Sequence, residues 1–279
     1  MANSHIKTRL VVFDWAGTTI DFGSRAPAAA FAEVFAANGV SVTDSEARGP
    51  MGLNKREHLI AMLNDPSIAE RWEKRYGRSW TEEDVDRMYD SFVPVQLEAI
   101  QRHAGLVPGL LDVVKELRQQ GIKIVGTTGY FDAAAHAVLQ SACQAGYVPD
   151  ANICADDVPQ GRPAPWMIYR AMEATGVFPA SSVIKVGDTV ADIQAGVAAG
   201  CWSIGVCDSS SLVGLSERQF QSLSTAEQID RVDQAAEAFR SAGAHATIRS
   251  LCDLPGLIQR ISNATTAEPH VLDGRAVLA

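Results

Sequence analysis

The chain has 279 residues, 47% of them hydrophobic and 20% charged, with a formal net charge of −9. That length can bury one large core, or a core plus a smaller domain. The negative balance argues against a nonspecific electrostatic hold on nucleic acid or anionic membrane. An anionic substrate must therefore meet positive charge supplied locally, by a metal ion, a few basic side chains or helix N-termini.

The five cysteines, Cys143, Cys154, Cys201, Cys207 and Cys252, show no CxxC spacing. A disulfide framework and a thiolate metal cluster are both poorly supported, and a reducing compartment is expected. The N-terminal "MANSHIKTRL" carries no apolar core of a signal segment, and no run reaches the length of a membrane span. The expected location is the cytoplasm.

In chain order, "RLVVFD" (9–14) is a short β-branched apolar run, as expected of a strand buried on both faces of a parallel sheet. Residues 23–103 then contain no convincing strand but several amphipathic helical runs, among them "PAAAFAEVFAANG" and "TEEDVDRMYDSF". Their flanks, "DFGSRAP" and "RHAGLVPG", carry the Gly and Pro of linkers, so this stretch reads as a helical insertion that overhangs the tip of the first strand. "GLLDVVKELRQQG" follows as a helix with Gly121 as its stop. Strand-like runs recur at "IKIVGT" (122–127), "ANICAD" (151–156), "SVIKVGD" (182–188), "CWSIGV" (201–206) and "AHATIRS" (244–250), mostly separated by helical patterns. Alternating strand and helix predicts a doubly wound, mostly parallel α/β sheet with its ligands at the carboxyl ends of the strands. The expected division is a core of residues 1–22 and 104–279 and an inserted helical domain of residues 23–103.

The chemistry-bearing residues fall at strand ends. Asp14 closes the first strand before the tight turn "WAGTT"; its carboxylate can attack phosphorus, ligate a metal, or simply close a turn. "VGDTVADIQAG" places Asp188 at another strand tip, where a hard cation takes carboxylate oxygen. Asp192, four residues on, either orders that ligand shell or complements a helix dipole. "GTTGY" (126–130) offers Thr128 and the amides around Gly129 to phosphoryl oxygens, or is an ordinary turn. "GRPAPW" sets Arg162 before a helix start, where a guanidinium can neutralise a phosphoryl group.

Taken together and in order, Asp14 with "GTT", Thr128, Arg162 and "GDTVAD" resemble the four motifs of the haloacid dehalogenase superfamily of phosphotransferases, and the helical insertion resembles one type of that superfamily's cap domain. Most of its phosphatases carry a second aspartate two residues after the nucleophile, an acid for a departing oxygen; here that place is Ala16. "PMGLNKREH" in the insertion has Lys55 with His58 three residues later, on one helix face, and Met51 four before. With "DWAGTT", "TTGY" and "GRPAPW", it makes the chain similar, from about Leu10 to Ile261, to the phosphonoacetaldehyde hydrolase family.

That resemblance implies hydrolysis of a carbon–phosphorus bond, releasing acetaldehyde and phosphate. It implies Asp14 as nucleophile, Lys55 as Schiff-base amine, and Mg²⁺ held by Asp14, the Ala16 carbonyl and Asp188, with Asp192 in support. Thr128, Gly129 and Arg162 would bind the phosphoryl group, His58 would carry protons, and Met51 and Tyr130 would line the aldehyde end. It further implies a homodimer. A carbon leaving group needs no acid beside it, which accounts for Ala16. Lys55 must be desolvated or set beside another cation to act as a nucleophile, and protonated His58 is the expected cation. The alternatives are a phosphate-ester phosphatase or phosphomutase of the same superfamily, which should have an acid at position 16, and an inactive binding homologue, which would have no use for Asp14, Lys55 and Asp188 together.

Overall fold

The computed structural model describes residues 7–263 and 269–272. After β1 (Leu10–Asp14) come five helices, α1 (Arg25–Ala37), α2 (Asp44–Arg48), α3 (Lys55–Leu63), α4 (Pro66–Tyr76) and α5 (Glu82–His103). The chain then runs through α6 (Leu110–Gln119), β2 (Lys123–Thr127), α7 (Asp132–Gln144), β3 (Ala151–Ile153), α8 (Trp166–Thr175) and β4 (Val183–Gly187). It ends with α9 (Val190–Ala198), β5 (Trp202–Val206), α10 (Glu217–Ser222), α11 (Thr225–Ser241), β6 (Ala246–Ile248) and α12 (Leu254–Asn263).

The six strands form one sheet in the order β3-β2-β1-β4-β5-β6, every pairing parallel. The chain winds outward from β1 through β2 to β3, then returns to β4 and winds the other way. The point of reversal lies between β1 and β4, where a doubly wound sheet opens a crevice at its carboxyl edge. Register sets the level of the site: Asp14 is paired with Thr127, and Phe13 with Val186. Asp14, Thr128 and Asp188 therefore leave the sheet at nearly the same height.

The side-chain alternation of β1 explains why its run is apolar throughout. Leu10 and Val12 pack with Val125, Ile168, Ala171 and Val183 on one face. Val11 and Phe13 pack with Leu117, Ile124, Val138 and Ile184 on the other. Each such side chain contributes roughly 1.5–3 kcal/mol by burial, so a charge within these strands needs a specific partner. Two expected strands are shorter than their sequence runs. At 151–156 the Cys154 N–H donates to the Asp157 carboxylate and a helical turn begins. At 244–250 the Ser250 N–H donates to Asp253 in the same way. All five cysteines are free thiols. Among the described residues, no helix is long and apolar enough to cross a membrane.

The two segments joining the sheet to α1–α5 run side by side. The Asp21 N–H donates to the Gly105 carbonyl at 2.9 Å and the Val107 N–H to the Thr19 carbonyl at 2.8 Å. Asp21, Gly23 and Ser24 all take left-handed backbone, with φ of 52°, 84° and 48°. Gly23 must be glycine, because a Cβ there would lie 2.0 Å from the Leu215 carbonyl oxygen. Within this unit the Asn54 side chain accepts the Glu57 N–H, so α3 begins at Lys55.

Candidate active site

Strand β1 delivers Asp14 into the crevice, 5% exposed. Beneath it lie Asp188 and Asp192; the three offer carboxylate oxygens all within 4.8 Å of one another. Such a cluster is stable only with compensating cations. Arg162 supplies one: its Nη1 lies 2.8 Å from Asp14 Oδ1 and also binds Asp192 Oδ1. Lys185, at the centre of β4, supplies the other, its Nζ 2.7 Å from Asp192 Oδ1.

The compensation is unequal. Burial opposes the charge of Asp192, but Arg162 and Lys185 outweigh it and hold the carboxyl down at about 2. Asp192 Oδ2 also receives the Thr189 hydroxyl at 2.5 Å. Asp188 has no comparable cation: burial pushes its carboxyl well up, and the charges of Asp14 and Asp192 push the same way. Burial likewise raises Asp14, with Arg162 pulling against it. Arg162 stays cationic because the carboxylates of Asp14 and Asp192 overcome its burial.

A divalent cation fits this uneven charge. Asp14 Oδ1 is buried without a hydrogen-bond partner, since Arg162 meets it at ion-pair distance but not in hydrogen-bond alignment. Asp188 Oδ2 accepts the Ser211 N–H at 2.8 Å, while its Oδ1 has only the distant Thr18 hydroxyl at 3.5 Å. Gly17, with φ of 84°, leaves the space: a Cβ there would lie 2.2 Å from Asp188 Oδ2. Hard carboxylate oxygens with spare lone pairs suit Mg²⁺ or a similar ion.

Above the carboxylates a cavity of about 20 Å³, the size of one water, is lined by Asp14, Ala16, Met51, Lys55, Thr128 and Tyr130, together with Gly129 and Arg162. Eight of the residues singled out in the sequence thus meet at one point. Asp188 and Asp192 lie below it, and His58 lies outside it. Met51 arrives from the turn before α3 rather than from the helix face shared by Lys55 and His58, because Asn54 caps α3 after it. The Thr128 hydroxyl accepts the Tyr130 N–H at 3.1 Å and keeps its own proton for a ligand. A Cβ on Gly129 would lie 2.8 Å from the Leu53 carbonyl oxygen, so a larger residue would hold the turn before α3 away from the site.

Lys55 is 5% exposed, and its Nζ lies 5.0 Å from the centre of the Tyr130 ring and 5.6 Å from that of Phe31. Burial lowers its pKa to about 7, and the Arg162 charge adds to the shift against the pull of Asp14 and Asp188. Its place as the first residue of α3, at the positive end of the helix, works in the same direction.

His58 is not the cation expected from the sequence. It is fully buried, stacked on Phe31 with ring centres 3.6 Å apart, and burial holds its pKa well below the usual value. Its Nε2 meets the Ala47 carbonyl at 3.0 Å. A carbonyl only accepts, so Nε2 carries the proton and Nδ1 is the bare acceptor, which has no hydrogen-bond partner. The Tyr130 hydroxyl, raised well above its usual pKa by burial and then by Asp21 and Asp14, also stays protonated.

Three contributors escaped the sequence reading. Lys185 was visible as a charge at the centre of the apolar run "SVIKVGD", a pattern that demands a buried partner. Phe31 looked like any core residue of an amphipathic helix. The serine loop after β5 had no signal: the Ser211 N–H holds Asp188, its hydroxyl donates to the Asp188 carbonyl, and the Ser209 hydroxyl donates to the Gly17 carbonyl.

Residues 8–200 match the model of the haloacid dehalogenase-like hydrolases. The phosphonoacetaldehyde hydrolase of Hahella chejuensis is 44% identical over 251 residues, covering 90% of this chain and 85% of the relative. That of Syntrophobacter fumaroxidans is 42% identical, covering 91% and 92%. The crystal structure of a phosphonoacetaldehyde hydrolase-like protein from Oleispira antarctica superposes with a TM-score of 0.91 at 40% identity, over 92% of this chain and 94% of that one. The chain belongs to the haloacid dehalogenase-like hydrolases and, within them, to the phosphonoacetaldehyde hydrolase family.

Proposed function

We propose that this enzyme hydrolyses the carbon–phosphorus bond of phosphonoacetaldehyde, giving acetaldehyde and phosphate. The observation that carries the reading is a buried lysine with a pKa near 7, in one cavity with Asp14 and with Ala16 where an acid would serve an oxygen leaving group. The family of the relatives supports the substrate.

In this reading the Lys55 amine adds to the aldehyde, water leaves, and an iminium forms. Asp14 then attacks phosphorus while the electron pair of the breaking C–P bond moves into the iminium, leaving an enamine on Lys55 and an acyl phosphate on Asp14. One water cleaves the acyl phosphate to phosphate and free Asp14. Protonation of the enamine carbon and a second water release acetaldehyde and restore Lys55. The net reaction consumes one water.

Arg162, Thr128 and the amide at Gly129 hold the phosphoryl oxygens, and Asp192 with Lys185 fixes the Arg162 fork from below. Asp14, Asp188 and the Ala16 carbonyl would hold Mg²⁺, which supplies charge neutralisation for the phosphoryl group. His58 Nδ1, neutral and unpartnered, accepts the carbinolamine proton, while Tyr130 and Met51 enclose the aldehyde carbon. Residues 23–103 act as a cap: a cavity the size of one water cannot admit the substrate, so α1–α5 must swing open on the paired linkers and close again. The reading also takes the enzyme as a cytoplasmic homodimer, in keeping with the free thiols and the family likeness; sedimentation tests the dimer.

Release of phosphate and acetaldehyde from phosphonoacetaldehyde, beside release of p-nitrophenol from its phosphate ester, tests the substrate. Strong turnover of the first and weak turnover of the second is expected. The reverse order would favour an ester phosphatase, and no turnover of either an inactive homologue.

A further inference from the structure

Beside the Tyr89–Phe131 ring contact, the α1–α5 unit meets the sheet domain through a charged side chain that the reaction does not use. Arg48, the last residue of α2, sends its guanidinium into a cleft lined by backbone carbonyls. Nη1 donates to the Gly23 carbonyl at 2.7 Å, to Ser24 at 3.3 Å and to Ser211 at 3.5 Å, and Nη2 donates to the Gly214 carbonyl at 3.1 Å. Two of these acceptors sit on the left-handed linker that leaves the sheet, and two on the serine loop after β5. The cleft is shaped for it: a Cβ on Gly214, with φ of 67°, would lie 2.9 Å from Arg48 Nε. Asp44, 71% exposed, holds the guanidinium from the solvent side at 2.6 Å.

The serine loop is also what holds Asp188. The Ser211 residue whose carbonyl accepts from Arg48 donates its own N–H to Asp188 Oδ2 at 2.8 Å. The linker is tied to the same loop, because the Gly23 N–H donates to the Ser209 carbonyl at 2.8 Å. A single planar cation with several donors can satisfy acceptors on both pieces only when they stand at this spacing, and Lys cannot reproduce that fork.

We propose that Arg48 is the positioning residue that latches the α1–α5 unit shut over the site and, through Ser211, keeps Asp188 in its orientation. The inference rests on the reading of residues 23–103 as a moving cap, but not on the identity of the substrate. Without Arg48 the closed arrangement loses charged hydrogen bonds to both pieces at once, enough to raise the open population about tenfold or more.

Hydrogen exchange of the full-length protein without substrate, followed by mass spectrometry, tests it independently of turnover. In Arg48→Ala the amides of Gly23 and of Ser211–Gly214 should both exchange about tenfold faster, those of the turn before α3 (51–54) should quicken with them, and the β4 amides should not change. Arg48→Lys, which keeps the charge but fewer donors, should fall between the two. Faster exchange confined to 211–214 would make Arg48 a local brace and overturn the latch. An equal rise in the β4 amides would mean general loosening and would overturn it as well, as would no change anywhere. A failed phosphonoacetaldehyde assay leaves these outcomes readable, so the two claims fail separately.

Discussion

Arg162 stands between two carboxylates, with Nη1 2.8 Å from Asp14 Oδ1 while it also binds Asp192. After burial itself, its fixed charge is what lowers the Lys55 pKa most. One residue thus serves both halves of the proposed chemistry, since it receives the phosphoryl group and keeps the lysine amine free.

The first consequence concerns pH. With a pKa near 7, Lys55 is an ammonium below that value and a free amine above it. kcat/KM for phosphonoacetaldehyde should therefore rise with pH through about 7 with unit slope and level off above. Tyr130→Leu removes a ring that favours the ammonium, so it should move this limb to lower pH, by about half a unit for a contact worth ~0.5–1 kcal/mol. A shift to higher pH would show that the ring serves chiefly to exclude water.

The second concerns Ala16. It lines the cavity beside Asp14, so Ala16→Asp adds a fourth carboxylate to three already crowded ones. Phosphonoacetaldehyde turnover should fall by about tenfold or more, because repulsion keeps one of them protonated. Hydrolysis of p-nitrophenyl phosphate should hold or rise, since the new acid can protonate an oxygen leaving group. Faster C–P cleavage in this variant would contradict the leaving-group argument.

The third concerns the metal. EDTA should abolish turnover and Mg²⁺ should restore it. Because a cation relieves Asp14 and Asp188, Mg²⁺ should also raise the melting temperature of the wild type. Asp188→Asn should lose that rise. A full Mg²⁺-dependent shift in Asp188→Asn would remove Asp188 from the metal's ligands.

The fourth concerns Lys185, buried 2.7 Å from Asp192. Lys185→Met leaves a buried carboxylate short of one cation and should cost about 3–5 kcal/mol in denaturant unfolding. Adding Asp192→Asn should recover part of that cost, with a coupling of about 1 kcal/mol or more. Strictly additive losses would mean the pair does not act as a unit.

Much of the fold was legible because its strands are buried on both faces. "RLVVFD" is apolar from Leu10 until an acid ends it, and "SVIKVGD" is apolar around Lys185 until its own acid; those acids mark the functional edge of the sheet. Asp14, Asp188, Arg162 and Lys55 were legible because each stands at an element boundary where a side chain reaches solvent or ligand. The state of His58 was not. Its neutrality comes from burial, to which stacking on Phe31, 27 positions earlier on another helix, contributes, and from the Lys55 charge, which together outweigh the opposite pull of the Ala47 carbonyl; periodicity does not encode these contacts. Arg48 and Ser211 were hidden for a related reason: they work through backbone carbonyls and amides, which leave no residue-type signature.

The central claim is that Lys55 forms a covalent imine with the aldehyde, and borohydride tests it most directly. Reduction in the presence of phosphonoacetaldehyde or acetaldehyde should fix a secondary amine on the protein, and peptide mass spectrometry should place it on Lys55. Without aldehyde there should be none. Lys55→Arg, which keeps the charge but cannot form an imine, should lose C–P cleavage by several orders of magnitude and show no adduct while still folding. An adduct on another lysine, or near-normal turnover by Lys55→Arg, would contradict the account.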